Sequence, residues 1–458
     1  MMGAVNGMRL LFECTYVFEH PEVNSGIQRV VRNMIAQLDK ATEVECLPVM
    51  MQGGHLYQVN SLAPLKMKAN SRAAWIVHLE HWRNRYWWWH SRVERLRPFS
   101  NSRNARRLLF WPCKALSLGI ALPLRGLQWL NRHQPPAPQR AVALEHRAGD
   151  QLVLLDSSWH ADFFPLAERL KQDGVGIISV VYDLIPLTHP QFCDDGLVKV
   201  FDRWFDWISR TADGFMAISQ TISHEVQKEV ERRLGEEASR RWHGHFHLGS
   251  ELDLADERSK LDDRLQQLFK DPAAVYLAVS TIEPRKNHRY LLDTFEILWQ
   301  QGSSARLCII GKVGWKCEAL ISRIKKHPEL GKRLFMFNGL NDRSLEYAYR
   351  NARALVFPSY VEGFGLPLVE AMQRGLPVMA SDIPVFREVG NDFIAYFDLN
   401  DPASLTTLVT QFEDTGIFPA ARPVSDWRWI DWHEASQQLI QGVLKGLHSQ
   451  AHGSPQCA

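Results

Sequence analysis

Ser359-Tyr-Val-Glu-Gly-Phe-Gly-Leu-Pro-Leu-Val-Glu370 follows the apolar run Ala354-Leu-Val-Phe357 and precedes Gly375-Leu-Pro-Val378. The apolar run predicts a short buried strand that ends at Pro358. Proline is tolerated in the first turn of a helix, so Pro367 allows a helix over 366–374, with Gly375 as its stop. The order is strand, glycine loop, helix N-terminus. Such a terminus carries unpaired backbone N–H groups and the positive end of the helix dipole, and it suits a phosphate. Glu362 projects from the loop and Glu370 from the helix. Two carboxylates beside an anion site accept hydrogen bonds from hydroxyls, and phosphates plus hydroxyls describe a nucleotide sugar. The plainer reading is an ordinary strand-to-helix turn with surface glutamates.

A second stretch strengthens the first. Ala274-Val-Tyr-Leu-Ala-Val-Ser-Thr-Ile-Glu-Pro-Arg-Lys-Asn287 reads as a strand, a basic turn and a following helix over 290–299. Arg285 and Lys286, adjacent at a strand's carboxyl end, can neutralise a diphosphate leaving group as a glycosidic bond breaks. No Asp-x-Asp triplet stands at a plausible strand end. Further strands are expected at 305–311, 334–339 and 377–382, and an amphipathic segment at 401–412. A helix is expected over 427–447, and 448–458 reads as a tail.

The first half alternates in the same way. Met8 to Tyr16 reads as a strand, followed by a turn at Asn24-Ser-Gly26 and a helix from Ile27. Ser25 and Asn24 are N-cap types, and Gly26 lets backbone approach a ligand. Strands are expected at 149–156, with Ser157-Ser-Trp159-His160 beyond it, and at 176–183, ending in Asp183. Trp159 either stacks on a sugar ring or belongs to the core. His243, His245 and His247 alternate as on one face of a strand, and exposed histidines on a strand explain them better than a metal site.

Residues 65–150 break the rhythm. Between Trp82 and Arg132 stand 11 Arg or Lys residues and 1 acidic residue, Glu94, interleaved with aromatics. The apolar run at 108–130 is interrupted by Pro112, Lys114, Pro123 and Arg125, which argues against a span. Basic residues beside Trp and Leu fit an element lying in anionic headgroups. A helical insertion packed on its own domain is the other reading. Basic patches with aromatics can also bind single-stranded nucleic acid, but the nucleotide-sugar motifs elsewhere argue against it.

Composition is that of a globular protein, with 458 residues, 45% hydrophobic and 23% charged. A net charge of +2 makes no global case for nucleic acid. The 7 cysteines, Cys14, Cys46, Cys113, Cys193, Cys308, Cys317 and Cys457, show no zinc-like or disulfide-framework spacing. A reducing cytoplasm is expected. The first residues lack the pattern of a signal peptide.

The pair Glu362 and Glu370, in the context EGFGLPLVEAM, resembles the E-x7-E signature of the retaining glycosyltransferases of family 4, whose fold is GT-B. The TIEPRKN stretch at 281–287 and the GIQRVVRNM stretch at 26–34 resemble elements of the same family. The resemblance is specific over 274–395, diffuse in 1–64 and 150–250, and absent from 65–150. It implies an α/β chain of two doubly wound Rossmann-like domains facing a cleft. The expected acceptor-side domain is 1–250 with a basic, aromatic insertion at about 65–150. The linker is 251–272, the nucleotide-sugar domain 273–425, and a helix at 426–447 returns to the first domain. By the resemblance, Glu362 lies at the donor sugar and Glu370 at the nucleotide ribose. Arg285, Lys286 and the loop amides of Gly363, Phe364, Gly365 and Leu366 hold the diphosphate, with Gly26 facing it. Family members commonly carry a His-Asp pair where this chain has Tyr182 and Asp183. That departure leaves Asp183 or His189 as the substitute, and Asp183 is carried as a catalytic candidate. Trp159 is carried as an acceptor contact.

The implied reaction is a metal-independent, cofactor-free transfer of a sugar, with GDP-mannose favoured as donor. The acceptor is a lipid-linked oligosaccharide or growing polysaccharide of the O-antigen, lipopolysaccharide or capsule type. The enzyme would sit in the cytoplasm, at the inner face of the membrane through 82–132. Two rivals remain at this stage: another GT-B enzyme such as a sugar-nucleotide epimerase, and a non-catalytic sugar-binding scaffold.

Overall fold

The computed structural model describes residues 7–21, 26–41, 43–63, 138–160, 163–250 and 260–451, together with helical positions at 75, 78–79, 82–83, 85–86, 114 and 117–127. Most of the 82–132 segment, the caps Asn24 and Ser25, and 452–458 lie outside the described residues.

Two sheets organise the described residues. The first contains β1 (Arg9–Glu13), β2 (Glu45–Gln52), β3 (His55–Val59), β4 (Ala141–Ala143), β5 (Gln151–Leu154), β6 (Gly176–Val181), β7 (Gly214–Ala217) and β8 (Trp242–His245), in spatial order β4-β3-β2-β1-β5-β6-β7-β8. Only β3 pairs antiparallel, with β2 and β4; the other pairings are parallel. The second contains β9 (Val275–Val279), β10 (Arg306–Ile310), β11 (Leu334–Phe337), β12 (Ala354–Phe357), β13 (Val378–Ser381) and β14 (Ile394–Phe397). Its order is β11-β10-β9-β12-β13-β14 and every pairing is parallel. Helices cover both faces, so these strands read as continuous apolar runs rather than alternating ones. All five residues of β9 are buried, as are all four of β12.

The strand order reverses between β1 and β5 in the first sheet and between β9 and β12 in the second. In open parallel sheets such switch points, outside the carboxyl ends of the strands, are where ligands bind. Arg285 and Lys286 follow β9, and Glu362 follows β12. Gly26 and the helix Ile27–Ile35 follow β1, and Ser157 follows β5.

Several boundaries differ from the sequence reading. β1 stops at Glu13, because its carboxylate accepts a hydrogen bond from the Thr15 amide (2.7 Å) and turns the chain into a short helix, Thr15–Glu19. Residues 141–150 belong to the first sheet domain rather than to the insertion: β4 is its edge strand, and Asp150 forms a buried ion pair with Arg9 (2.6 Å). Within 251–272, the helix Asp263–Lys270 packs on the second domain, with Leu265 in its core and the Asp262 amide donating to Ser344 Oγ (3.1 Å). The last helix is Trp432–Ala451, so 427–431 are not helical and 448–451 are not tail. It lies against β7, β8 and the helix Ile27–Ile35 of the first domain. Gly446 makes this possible, since a Cβ there would come within 2.3 Å of the Trp242 ring. His243, His245 and His247 do not share one strand face, because β8 ends at His245. His243 is partly buried and stacks on Phe215, and burial pulls its pKa down to about 4.

Among the described residues, no helix is long and apolar enough to cross a membrane.

Candidate active site

The second domain brings the basic turn and the E-x7-E loop together because β9 and β12 are adjacent and parallel. Pro284–Lys286 form one tight turn, closed by Asn287 in a left-handed conformation (φ 51°). Arg285 Nη1 lies 2.8 Å from Glu362 Oε2 and also donates to the Val361 carbonyl (3.1 Å), while its Nε pairs with Glu283 Oε1 (2.6 Å). Lys286 Nζ pairs with Glu362 Oε1, which also accepts from Ser359 Oγ (2.7 Å). Lys286 and Glu362 are each 7% exposed.

Burying a charge is costly unless it is paired. Burial alone would raise the Glu362 pKa, but Arg285, Lys286 and the hydrogen bonds from Lys286 and Ser359 outweigh it and hold the carboxyl at about 2. Glu362 is therefore an anion at neutral pH. Burial and the neighbouring Arg285 lower the Lys286 pKa, against the pull of Glu362. Burial would also lower the Arg285 pKa, but Glu362, Glu283 and Asp183 raise it, so the guanidinium stays charged. Both cations are thus stored against a carboxylate at the switch point of the second sheet.

The loop beyond Glu362 is shaped by two glycines. Gly365 has φ 101°, which L side chains rarely adopt, and a Cβ there would meet Phe386 at 2.8 Å. Gly363 faces the first domain: a Cβ there would lie 2.1 Å from the Tyr182 carbonyl oxygen. Phe364 is buried, with its ring near Trp429 and His247. The helix Leu366–Gln373 begins with Pro367 in its first turn. Glu370 lies inside it, 5% exposed. Tyr349 donates to its Oε2 (2.8 Å) and Arg29, from the first domain, to its Oε1 (3.2 Å). Burial raises the Glu370 pKa more than Arg29, Tyr349 and Arg374 lower it.

The remaining candidates divide. Asp183 is half-buried, and its carboxylate caps the Ile185 amide (3.0 Å). It feels Arg285, Glu362 and Lys286 electrostatically, and burial raises its pKa. His189 instead bonds Thr188 and stacks on Phe192, while Tyr182 donates to the Leu155 carbonyl (2.7 Å). Gly26 opens the helix Ile27–Ile35 with φ 52°, and nothing among the described residues lies within 4 Å of where its Cβ would be. Glycine is needed there for backbone conformation and not for want of room. Trp159 packs on Phe201 and Trp204 at ring-centroid distances of 5.4 and 5.6 Å, so its ring belongs to the aromatic cluster of the first domain.

Sequence reasoning missed the partners that reach these residues: Ser359, Glu283, Tyr349 and Arg29. It also missed a cross-domain clamp. Glu388 accepts from the Gln220 amide (2.7 Å), the Thr221 amide (2.9 Å), Thr221 Oγ1 (2.7 Å) and lies 2.8 Å from His247 Nε2. Arg29 carried one readable signal. It stands in the first turn of its helix, where a cation opposes the helix dipole, so an acidic partner outside the helix was to be sought. Among the described residues, no group of three or more His, Cys, Asp or Glu could hold a metal ion.

Residues 259–421 match the family described as Glycosyl transferases group 1. Over 331 residues the chain is 29% identical to the Serotype-specific mannosyltransferase WbdA of Escherichia coli, covering 69% of this chain and 40% of that protein. It is 31% identical to the O-antigen chain mannosyltransferase B of Escherichia coli over 168 residues, 36% of this chain and 44% of that one. The chain thus spans about two fifths of the length of WbdA. In three dimensions it is similar to HepE of Anabaena in complex with UDP and glucose, with a TM-score of 0.53 at 12% identity over 96% of this chain and 100% of that one. At that identity the likeness speaks for the fold alone. Residues 259–421 carry a glycosyl transferases group 1 domain, set in a two-domain GT-B fold.

Proposed function

We propose that the protein is a retaining, metal-independent glycosyltransferase that moves mannose from GDP-mannose to a lipid-linked oligosaccharide or growing polysaccharide of the O-antigen or capsule type. The observation that carries this reading is the Arg285–Lys286–Glu362 cluster at the β9/β12 switch point, inside the region that matches the group 1 family and in the loop that leads into the helix Leu366–Gln373. Mannose as the sugar, and the O-antigen setting, are supported by the names of the mannosyltransferases the chain is similar to.

In the proposed reaction the donor diphosphate takes over Arg285 and Lys286 from Glu362, and the amides of Gly363, Phe364, Gly365 and Leu366 add donors. Glu362, released from part of its pairing, accepts from hydroxyls of the sugar. Glu370 accepts from the ribose. The acceptor hydroxyl attacks the anomeric carbon from the leaving-group side. The carbon–phosphate-oxygen bond breaks, its electron pair stays on the diphosphate, and a phosphate oxygen takes the acceptor proton. Two fixed cations serve the leaving group in the role a divalent metal fills elsewhere. Asp183, beside the cluster on the first-domain side, is the candidate to contact the sugar from across the cleft. Trp159 would support the acceptor side through its aromatic cluster rather than by direct stacking.

Attachment to the inner face of the cytoplasmic membrane through the 82–132 region belongs to the same proposal. It is supported by the sequence charge and by Leu118 and Leu122, four residues apart on a helical stretch and 48% and 62% exposed. The test is turnover of GDP-mannose with a lipid-linked acceptor, with and without EDTA. The expected product keeps the donor's anomeric configuration, and its rate is indifferent to EDTA. Inversion, or abolition by EDTA, would overturn the mechanism. Wild-type turnover by Glu362→Gln would overturn the assigned site.

A further inference from the structure

Glu370 has one oxygen settled within its own domain and the other settled from the opposite one. Tyr349, on the helix Asp342–Asn351, donates to Oε2 (2.8 Å). Arg29, on the helix Ile27–Ile35 of the first domain, donates from Nη1 to Oε1 (3.2 Å) and from Nη2 to Asp342 Oδ1 (2.9 Å). The Arg29 side chain is 14% exposed and that of Glu370 6%. Arg29 Nε is buried with no partner among the described residues. An ionised carboxylate offers about four lone-pair positions. Among the described residues Tyr349 and Arg29 use two, and the two that remain match the two hydroxyls of a vicinal diol.

We infer that Arg29 is a positioning residue for the nucleotide: it completes the donor pocket from across the cleft by fixing and charging Glu370, so that the ribose diol is held tightly only when the two domains are together. The inference rests on the reading of Glu370 as the ribose acceptor. Three features separate it from an incidental surface ion pair. The pair is largely removed from solvent, where charged hydrogen bonds are worth more than at the surface. Arg29 sits in the first turn of its helix, where its charge is unfavourable, so the cross-domain acids and not the helix account for its placement. The same guanidinium also grips Asp342, which starts the helix that carries Tyr349, so one side chain sets the relative position of both groups that hold Glu370. Separation of the domains removes Arg29 from Oε1 and leaves Tyr349 in place.

The experiment is calorimetric titration of the full chain with GDP and with UDP, for wild type, Arg29→Ala, Arg29→Lys, Glu370→Gln and the Arg29→Ala/Glu370→Gln double variant. Steady-state turnover and the melting temperature without nucleotide accompany it. Loss of one charged hydrogen bond predicts nucleotide binding and donor KM weakened about tenfold in Arg29→Ala, with a much smaller change in kcat. Arg29→Lys recovers part of the loss. In the Glu370→Gln background Arg29→Ala adds little, because both act through one contact. Wild-type affinity in a folded Arg29→Ala, or effects that multiply in the double variant, would overturn the inference. Should Arg29→Ala not fold, Arg29→Lys carries the test: it keeps the charge but not the two-pronged grip, so unchanged affinity and KM would count against the inference. Wild-type affinity in Glu370→Gln is a different failure, that of the ribose reading itself.

Discussion

Ser219 of the first domain and Gly363 of the second are joined by a hydrogen bond from Ser219 Oγ to the Gly363 carbonyl (3.0 Å). Ser219 Oγ also accepts from the Ile222 amide (3.2 Å), so one hydroxyl caps the helix Gln220–Leu234 and holds the glycine loop of the second domain. Ser219→Ala loses both bonds. We expect a loss of about 1–2 kcal/mol of stability from the cap and the buried acceptor, read by urea unfolding, together with a higher donor KM.

Gly363 tests how closely the domains must approach. Its missing Cβ would stand 2.1 Å from the Tyr182 carbonyl, a backbone atom that cannot rotate away. Gly363→Ala should hold the cleft open and lower turnover at least about tenfold, at an overpacking cost of about 1–3 kcal/mol. Small-angle scattering should show a larger radius of gyration than wild type, and equal radii with normal turnover would refute the contact.

The Glu388 clamp makes stability depend on pH in a defined direction. Burial would raise its pKa, but His247, Thr221 and the Gln220 and Thr221 amides hold it at about 2, below the ordinary value of 4.5. A depressed carboxyl contributes stability that is present above the unfolded pKa and lost as pH falls through the folded one. The contribution is on the order of 3 kcal/mol at neutral pH. The difference in unfolding free energy between wild type and Glu388→Gln should therefore be full at pH 6 and shrink steadily between about pH 4.5 and 2. A difference that does not vary with pH would show that the carboxylate is not ionised in the clamp.

Trp159 separates packing from recognition. Its ring lies on Phe201 and Trp204, so Trp159→Ala should cost about 3 kcal/mol of stability. The acceptor KM of the folded fraction should stay within a small factor of wild type. A large rise in acceptor KM with little loss of stability would restore the sugar-stacking reading.

What could be read from the chain alone was local. The strand, glycine loop and helix over 354–373 follow from an apolar run, from the glycines at 363 and 365 and from Pro367 in a first turn. The basic turn at 284–286 is likewise dictated by neighbours a few residues apart, and the alternation of strands and helices announced two doubly wound sheets. The adjacency of those two motifs was decided by strand order, because β9 and β12 pair although two strands intervene in sequence. The insertion's downstream edge was misplaced because β4 has three residues, too short to show a period, and is recruited by β3. Arg29 and Glu370 are 341 residues apart and Thr221 and Glu388 167 apart. No local pattern encodes such pairs. They exist because the two sheets dock with their carboxyl-end loops facing, and the docking geometry, not the composition of either loop, selects which charges meet.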